Sequence, residues 1–204
     1  MKLIDLSVPI NNQTPNFPGD PQIKITQAGV LEKDGYQDHA IYLSNHAGTH
    51  IDAPSHMVVG GKSLNEFPID KFSGRGVYIK VNKHFDLSEI ESADIRQGDI
   101  VLFHTGIADM YYQSDYFTKY LVMDQKVAKY LVKKRVKMVG FDTCSADKDK
   151  SFPVHKTLLK SEVLIIENLT NLAEVDGKRF KVYALPLKLE VDGAPARIVA
   201  EILS

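Results

Sequence analysis

His46-Ala47-Gly48-Thr49-His50-Ile51-Asp52-Ala53-Pro54-Ser55-His56 gathers three of the chain's seven histidines and one carboxylate into a single short stretch. Imidazole nitrogen and carboxylate oxygen are borderline ligands that suit zinc and other divalent transition metals. Fully extended, the α-carbons of His46 and His50 would stand roughly 13 Å apart, too far to share one ion. One curled turn brings positions four apart to within about 6 Å. Gly48 can adopt the backbone angles of such a turn, and Pro54 is expected to block further regular helix. The small residues Ala47, Gly48, Ala53 and Ser55 let the backbone approach an ion closely. A chance cluster of surface or core histidines is the competing explanation; the combination of three histidines, one aspartate and small spacers favours a metal site in a tight turn.

Outward from that stretch, 204 residues form one expected domain, 1–204, large enough for a substantial core. Hydrophobic residues make up 44% and charged residues 25%, as in an ordinary globular chain. The formal net charge of −1 gives no reason to expect a nucleic-acid or membrane partner. Cys144 is the one cysteine, so an internal disulfide is excluded and a reducing compartment fits. Asp5 interrupts any signal-like apolar run, and no stretch approaches the roughly 20 apolar residues of a membrane span. A cytoplasmic location is the expectation.

Residues 2–10 read as a first strand, followed by Thr14-Pro15-Asn16-Phe17-Pro18-Gly19-Asp20-Pro21, which cannot be helical. Phe17 in that loop is either a core plug or an aromatic wall for a ligand. Ile23 and Ile25 alternate as a strand, and no helix is expected before Gly35. Residues 39–44 read as the strand that delivers the chain into the His46 turn. Further strands are expected over 77–81, 100–103, 136–141, 163–166, 183–190 and 196–203. A short helix is expected over 87–93 and a longer one over 124–134, with Val127, Tyr130 and Leu131 on one face. No repeat or linker divides the chain. Many strands with few helices predict a mixed α/β (α+β) fold with a barrel-like core.

Further metal ligands must come from elsewhere. Glu167 ends an apolar run, where a carboxylate is costly unless paired or metal-bound; a salt-bridged strand terminus explains it equally well. His155 alone reads as a surface histidine. Asp142, Asp147 and Asp149 read as a solvated loop, and His39, His84 and His104 as structural. Cys144 and Ser145 have no local partner signature of a nucleophile.

The stretch from His46 to His56 resembles the H-x-G-T-H-x-D-x-P-x-H motif of the cyclase family of metal-dependent hydrolases, which includes bacterial kynurenine formamidases (arylformamidases) and isatin hydrolases. The resemblance extends through Asp5-Leu-Ser, Phe17-Pro-Gly-Asp20, Thr105-Gly106, Val139-Gly-Phe-Asp142 with Ser145 and Asp147, and Glu167-Asn-Leu169. It implies that His46, His50 and Asp52 bind metal, with Asp52 able to bridge two ions, and that His56 is the proton donor and acceptor. It adds His155 and Glu167, twelve residues apart, as the remaining ligands of a two-metal site. Phe17 falls where formamidases commonly carry a substrate-contacting aromatic, often Trp; this chain has no Trp. The fold implied is a swivelling β/β/α type, and the assembly a homodimer or homotetramer.

The function so implied is that of a metal-dependent amidohydrolase with one or two Zn²⁺ ions, or Mn²⁺. The substrate expected is an N-formyl arylamine such as N-formylkynurenine, an intermediate of tryptophan catabolism. A lactone- or isatin-type hydrolase using the same site is the alternative. A binding protein whose metal only clamps the fold is the reading from a different class. It is disfavoured because structural zinc is commonly bound by cysteines in a closed four-coordinate site, whereas these ligands are His and carboxylate.

Overall fold

The computed structural model describes residues 1–203. In chain order the strands are β1 (Lys2–Asp5), β2 (Lys24–Gly29), β3 (Asp38–Tyr42), β4 (His50–Asp52), β5 (Ser73–Lys80), β6 (Ile100–His104), β7 (Met138–Phe141), β8 (Leu164–Glu167), β9 (Phe180–Pro186) and β10 (Gly193–Ile202). The helices are α1 (Leu31–Asp34), α2 (Leu87–Ser92), α3 (Gln125–Lys134) and α4 (Pro153–Leu159). No helix among the described residues is long and apolar enough to cross a membrane.

The strands close a mixed barrel of seven, in the order β10-β4-β8-β7-β6-β5-β9 and back to β10, with β1 added to the outer edge of β10. β5 to β8 run parallel, while β4, β9 and β10 join antiparallel. The apolar runs at β6, β7 and β8 explain the parallel half: such strands are buried on both faces. Ile100, Leu102, Met138, Leu164 and Ile166 fill the barrel interior with Ile51, Phe180 and Ile198. The alternate residues Val101, Phe103, Val139, Phe141 and Ile165 face outward onto α3 and α4, against Val127, Leu131, Val154 and Leu158. α3 starts where Asp124 accepts from the Lys126 amide and ends with Lys133 and Lys134 in its last turn, both favourable to the helix dipole. β2 and β3 form a separate two-stranded ribbon.

Several expectations change. The first strand is only Lys2–Asp5, because beyond it the chain leaves β10 and makes an isolated bridge, Ser7 to Leu169. Leu31–Asp34 forms one helical turn before Gly35, closed by that glycine at φ 77°. Pro54 begins a 3-10 turn, Pro54–His56, because its missing N–H costs nothing at a first helical position. The strand placed at 183–190 is Phe180–Pro186: its pairing with β10 starts at Phe180, and residues 187–192 leave the ladder.

The candidate metal centre

The parallel strands all end on one side of the barrel, and the loops that follow them build the site. Antiparallel pairing sets His50 opposite Glu167 and Asp52 opposite Gly193. The crossover from β7 to β8 carries Asp147 and, on the first turn of α4, His155. Gly48, at φ 64°, curls the preceding turn with its α-carbon against Ile10, where a Cβ would lie 2.9 Å from Cγ1. That curl brings the His46 and His50 rings to 5.0 Å between centroids.

Three histidines are held alike, each with Nδ1 tied outward and Nε2 left facing the centre or the pocket. His50 Nδ1 donates to the Gly48 carbonyl at 2.9 Å. His155 Nδ1 donates to Asp147 at 2.8 Å, and His56 Nδ1 to Asp192 at 2.9 Å. Each acceptor is a carbonyl or carboxylate oxygen, so the proton must sit on Nδ1. His50 Nε2 lies 3.3 Å from Asp52 and 3.5 Å from Glu167. His155 Nε2 lies 3.1 Å from Glu167 and 3.8 Å from Asp52. His46 differs: its nitrogens face two carboxylates, Asp52 at 2.8 Å and Asp192 at 3.1 Å.

The electrostatics follow from this crowding. Burial pulls the His155 imidazole pKa down, but Asp147 and Glu167 outweigh it and hold it up at about 10. Burial likewise opposes Asp52 and then Asp192 at His46, where the carboxylates win and the pKa stands at about 9. Burial favours the protonated acid at Asp52, yet the facing His50 and His46 keep its carboxyl well below the usual range. Without metal the site is therefore loaded with protons that a cation must displace.

The donor set fits a divalent cation. Asp52 is 1% exposed and Glu167 5%, and among the described residues neither has a lysine or arginine ion-pair partner. These buried carboxylates are balanced only by imidazole rings, which release their protons when a divalent cation takes their place. Ligand atoms of His50, Asp52 and Glu167 lie within 4.8 Å of one another, and so do those of His46, Asp52 and His56, making two triads that share Asp52. Nitrogen and oxygen donors of this kind suit zinc or manganese.

The structure brings His46, His50, Asp52, His56, His155 and Glu167 to one pocket, and Phe17 lines its wall. Phe17 is 42% exposed and meets Phe117 edge-on, so it is no core plug. His155 is buried, contrary to the surface reading of that residue alone. Asp142 and Asp147 are also buried, contrary to the solvated-loop reading, and only Asp149 is exposed. Asp142 accepts from the Thr105 and Gly106 amides, tying the ends of β6 and β7 together. Asp147 accepts from His155 Nδ1 and from the Val154 and His155 amides. The aromatic stretch after Asp109 braces the same backbone: Tyr116 Oη donates to Asn168, and Tyr120 Oη to the Asp147 carbonyl. Cys144 lines the pocket as a thiol whose pKa burial pushes up to about 12, which suits no nucleophile.

Asp192, Phe117 and Phe152 escaped the sequence reading. Asp192 had one available signal, the Asp-Gly pair opening the last strand, which reads equally well as an ordinary turn.

Comparison with known proteins agrees with this geometry. The Cyclase family model, described as "Putative cyclase", matches residues 4–148. A kynurenine formamidase of Bacillus anthracis is 31% identical, over 97% of this chain and 96% of its own length. A solved predicted metal-dependent hydrolase of Bacillus stearothermophilus is 32% identical, with a TM-score of 0.82 over 98% of this chain and 97% of that one. Isatin hydrolase A of Labrenzia aggregata shares the fold at 23% identity, with a TM-score of 0.87 over 98% of this chain and 93% of that one. The barrel, the buried histidine–carboxylate cluster and these matches lead to one conclusion: the chain belongs to the cyclase family of metal-dependent hydrolases.

Proposed function

We propose that the protein hydrolyses a small N-formyl arylamine, with N-formylkynurenine as the representative substrate. The observation that carries the reading is the pocket itself: its floor is the histidine–carboxylate cluster and its walls include Phe17, Phe117 and Phe152. A flat aryl group suits those walls, and its amide would then face the cluster. The resemblance to kynurenine formamidases at about 30% identity supports the same substrate class.

His46, His50, Asp52, His155 and Glu167 would hold one or two ions of zinc or manganese, with Asp52 common to both if two are bound. When bound, such a cation polarises a carbonyl and lowers the pKa of water toward about 7. His56 completes a triad with His46 and Asp52 but serves proton transfer and not ligation. It accepts the proton of the attacking water at Nε2 and returns it to the leaving nitrogen, a role for which imidazole is the natural side chain. Phe17 and Phe117 hold the aryl ring while the amide turns over.

The test is to strip the protein with a chelator, reload it with zinc or manganese, and count bound metal by elemental analysis. The reloaded enzyme is then offered N-formylkynurenine, isatin and simple lactones. Cleavage of N-formylkynurenine by the reloaded protein alone is the expected result. Cleavage of isatin or a lactone instead moves the substrate to cyclic amides or esters, and activity on none with metal bound sinks the reading.

The same reading has the chain act in the cytoplasm as a homodimer or homotetramer. The support for the assembly is the β2–β3 ribbon and its connection, where Ile41 on β3 and Tyr36 in the connection are 60% exposed and Tyr42 59%. Isolated two-stranded ribbons are marginal in water and gain from a covering surface. A monomeric mass by light scattering would refute the assembly.

A further inference from the structure

We infer that Asp192 is the positioning residue of His56: it fixes the imidazole as the Nδ1–H tautomer and so presents an unprotonated Nε2 to the substrate. The inference rests on the hydrolytic reading of the pocket. Its ground is geometric. Asp192 Oδ2 lies 2.9 Å from His56 Nδ1, and a carboxylate can only accept there. Among the described residues nothing hydrogen-bonds His56 Nε2, and His56 lines the pocket.

Asp192 is itself firmly placed. Asn45 Nδ2 donates to its other oxygen at 2.9 Å, and its own carbonyl accepts from the Ala53 amide at 2.8 Å. The next residue, Gly193, lies against the His46 ring, where a Cβ would come within 2.6 Å of Cε1. That contact, the pairing of Gly193 with Asp52 and the hydrogen bond from the Ala53 amide pin Asp192 beside the residue that leads into the 3-10 turn Pro54–His56. A base held by a carboxylate through its far nitrogen is the arrangement that keeps a general base in the right tautomer and orientation.

Two measurements test this. In the metal-free protein and the zinc-loaded protein, imidazole ¹⁵N spectra should show His56 protonated on Nδ1, and D192N should shift it toward the Nε2–H form. This arm needs no substrate, so it stands apart from the hydrolase reading. In the second, D192A and D192N should lower kcat about 10- to 100-fold, with KM and bound metal unchanged, the usual scale for carboxylates behind a site histidine. D192A placed on H56A should cost less than a further twofold, because residues acting as a unit are not additive. Three results overturn the inference: an unchanged tautomer in D192N, full additivity with H56A, or loss of metal from D192N. The last would assign Asp192 to His46, whose Nε2 it also approaches at 3.1 Å.

Discussion

Two histidine–aspartate pairs bring their imidazoles to the same pocket, with the His56 and His155 ring centroids 6.3 Å apart. His155 and Asp147 are 3% and 4% exposed at their side chains, whereas His56 and Asp192 are 25% and 37% exposed. Their distances are nearly equal, 2.8 Å and 2.9 Å. Depth is the difference. The buried pair is walled in by α4 and the Asp147 loop, and its carboxylate also caps the first amides of the helix. Its ring is fixed for ligation. The outer pair keeps water within reach, as proton transfer requires. The same two side chains serve two ends, and access to solvent decides which.

The sharpest way to break this contrast is H56A, which should lower kcat by about 10²- to 10⁴-fold while metal stays bound, the usual worth of a general acid–base. Loss of metal along with activity, read by elemental analysis, would move His56 into the ligand set. D147A should act on the opposite quantity. Removing one partner of a buried pair costs about 3–5 kcal/mol, so urea unfolding of the chelator-treated protein should show a loss on that scale. A loss below about 1 kcal/mol, the level of an exposed pair, would make the two pairs equivalent.

Acidity sharpens the contrast further. His155 and His46 have folded pKa values of about 10 and about 9, above the ordinary 6.5. The stability they contribute to metal-free protein is therefore complete below pH 6.5 and is lost as the pH rises through those folded values. Thermal melts of stripped protein should fall across this window, while the gain on adding zinc should grow, since ligation needs unprotonated rings. A stripped protein that gains stability across it would contradict the assignment. The smallest effect belongs to the pocket wall: F17A should raise KM for an aryl substrate about 2- to 10-fold with kcat nearly unchanged, matching one aromatic contact. An equal loss for a non-aromatic formamide would remove Phe17 from ring recognition.

What the sequence disclosed follows the range of each signal. His46, His50, Asp52 and His56 stand out in the sequence because eleven consecutive residues carry all four, and the turn before β4, β4 itself and the 3-10 turn after it bring them to one pocket. The apolar runs of β6, β7 and β8 were legible because parallel strands covered on both faces have no polar alternation. Asp147 and Asp192 look like loop acids locally, and only the strand order shows that their loops close over the site. The pairing of Gly193 with Asp52 joins positions 141 residues apart in sequence (193 − 52), and no periodicity records it. Phe180 was missed as a strand start for the same reason, since its partner is Ile202.

β10 touches three neighbours: β4 along residues 193–195, β9 along 196–202 and β1 along 199–202. Within this chain it also follows every other strand. The pairings of β10 with β4 and β1 are therefore of high contact order and cost loop entropy before their contacts form. A growing chain exposes His46, His50 and Asp52 long before Gly193 arrives to lie against the His46 ring. Metal captured in that interval meets an unfinished shell. Completion of the centre thus depends on a strand that lies far along the chain from the ligands it covers.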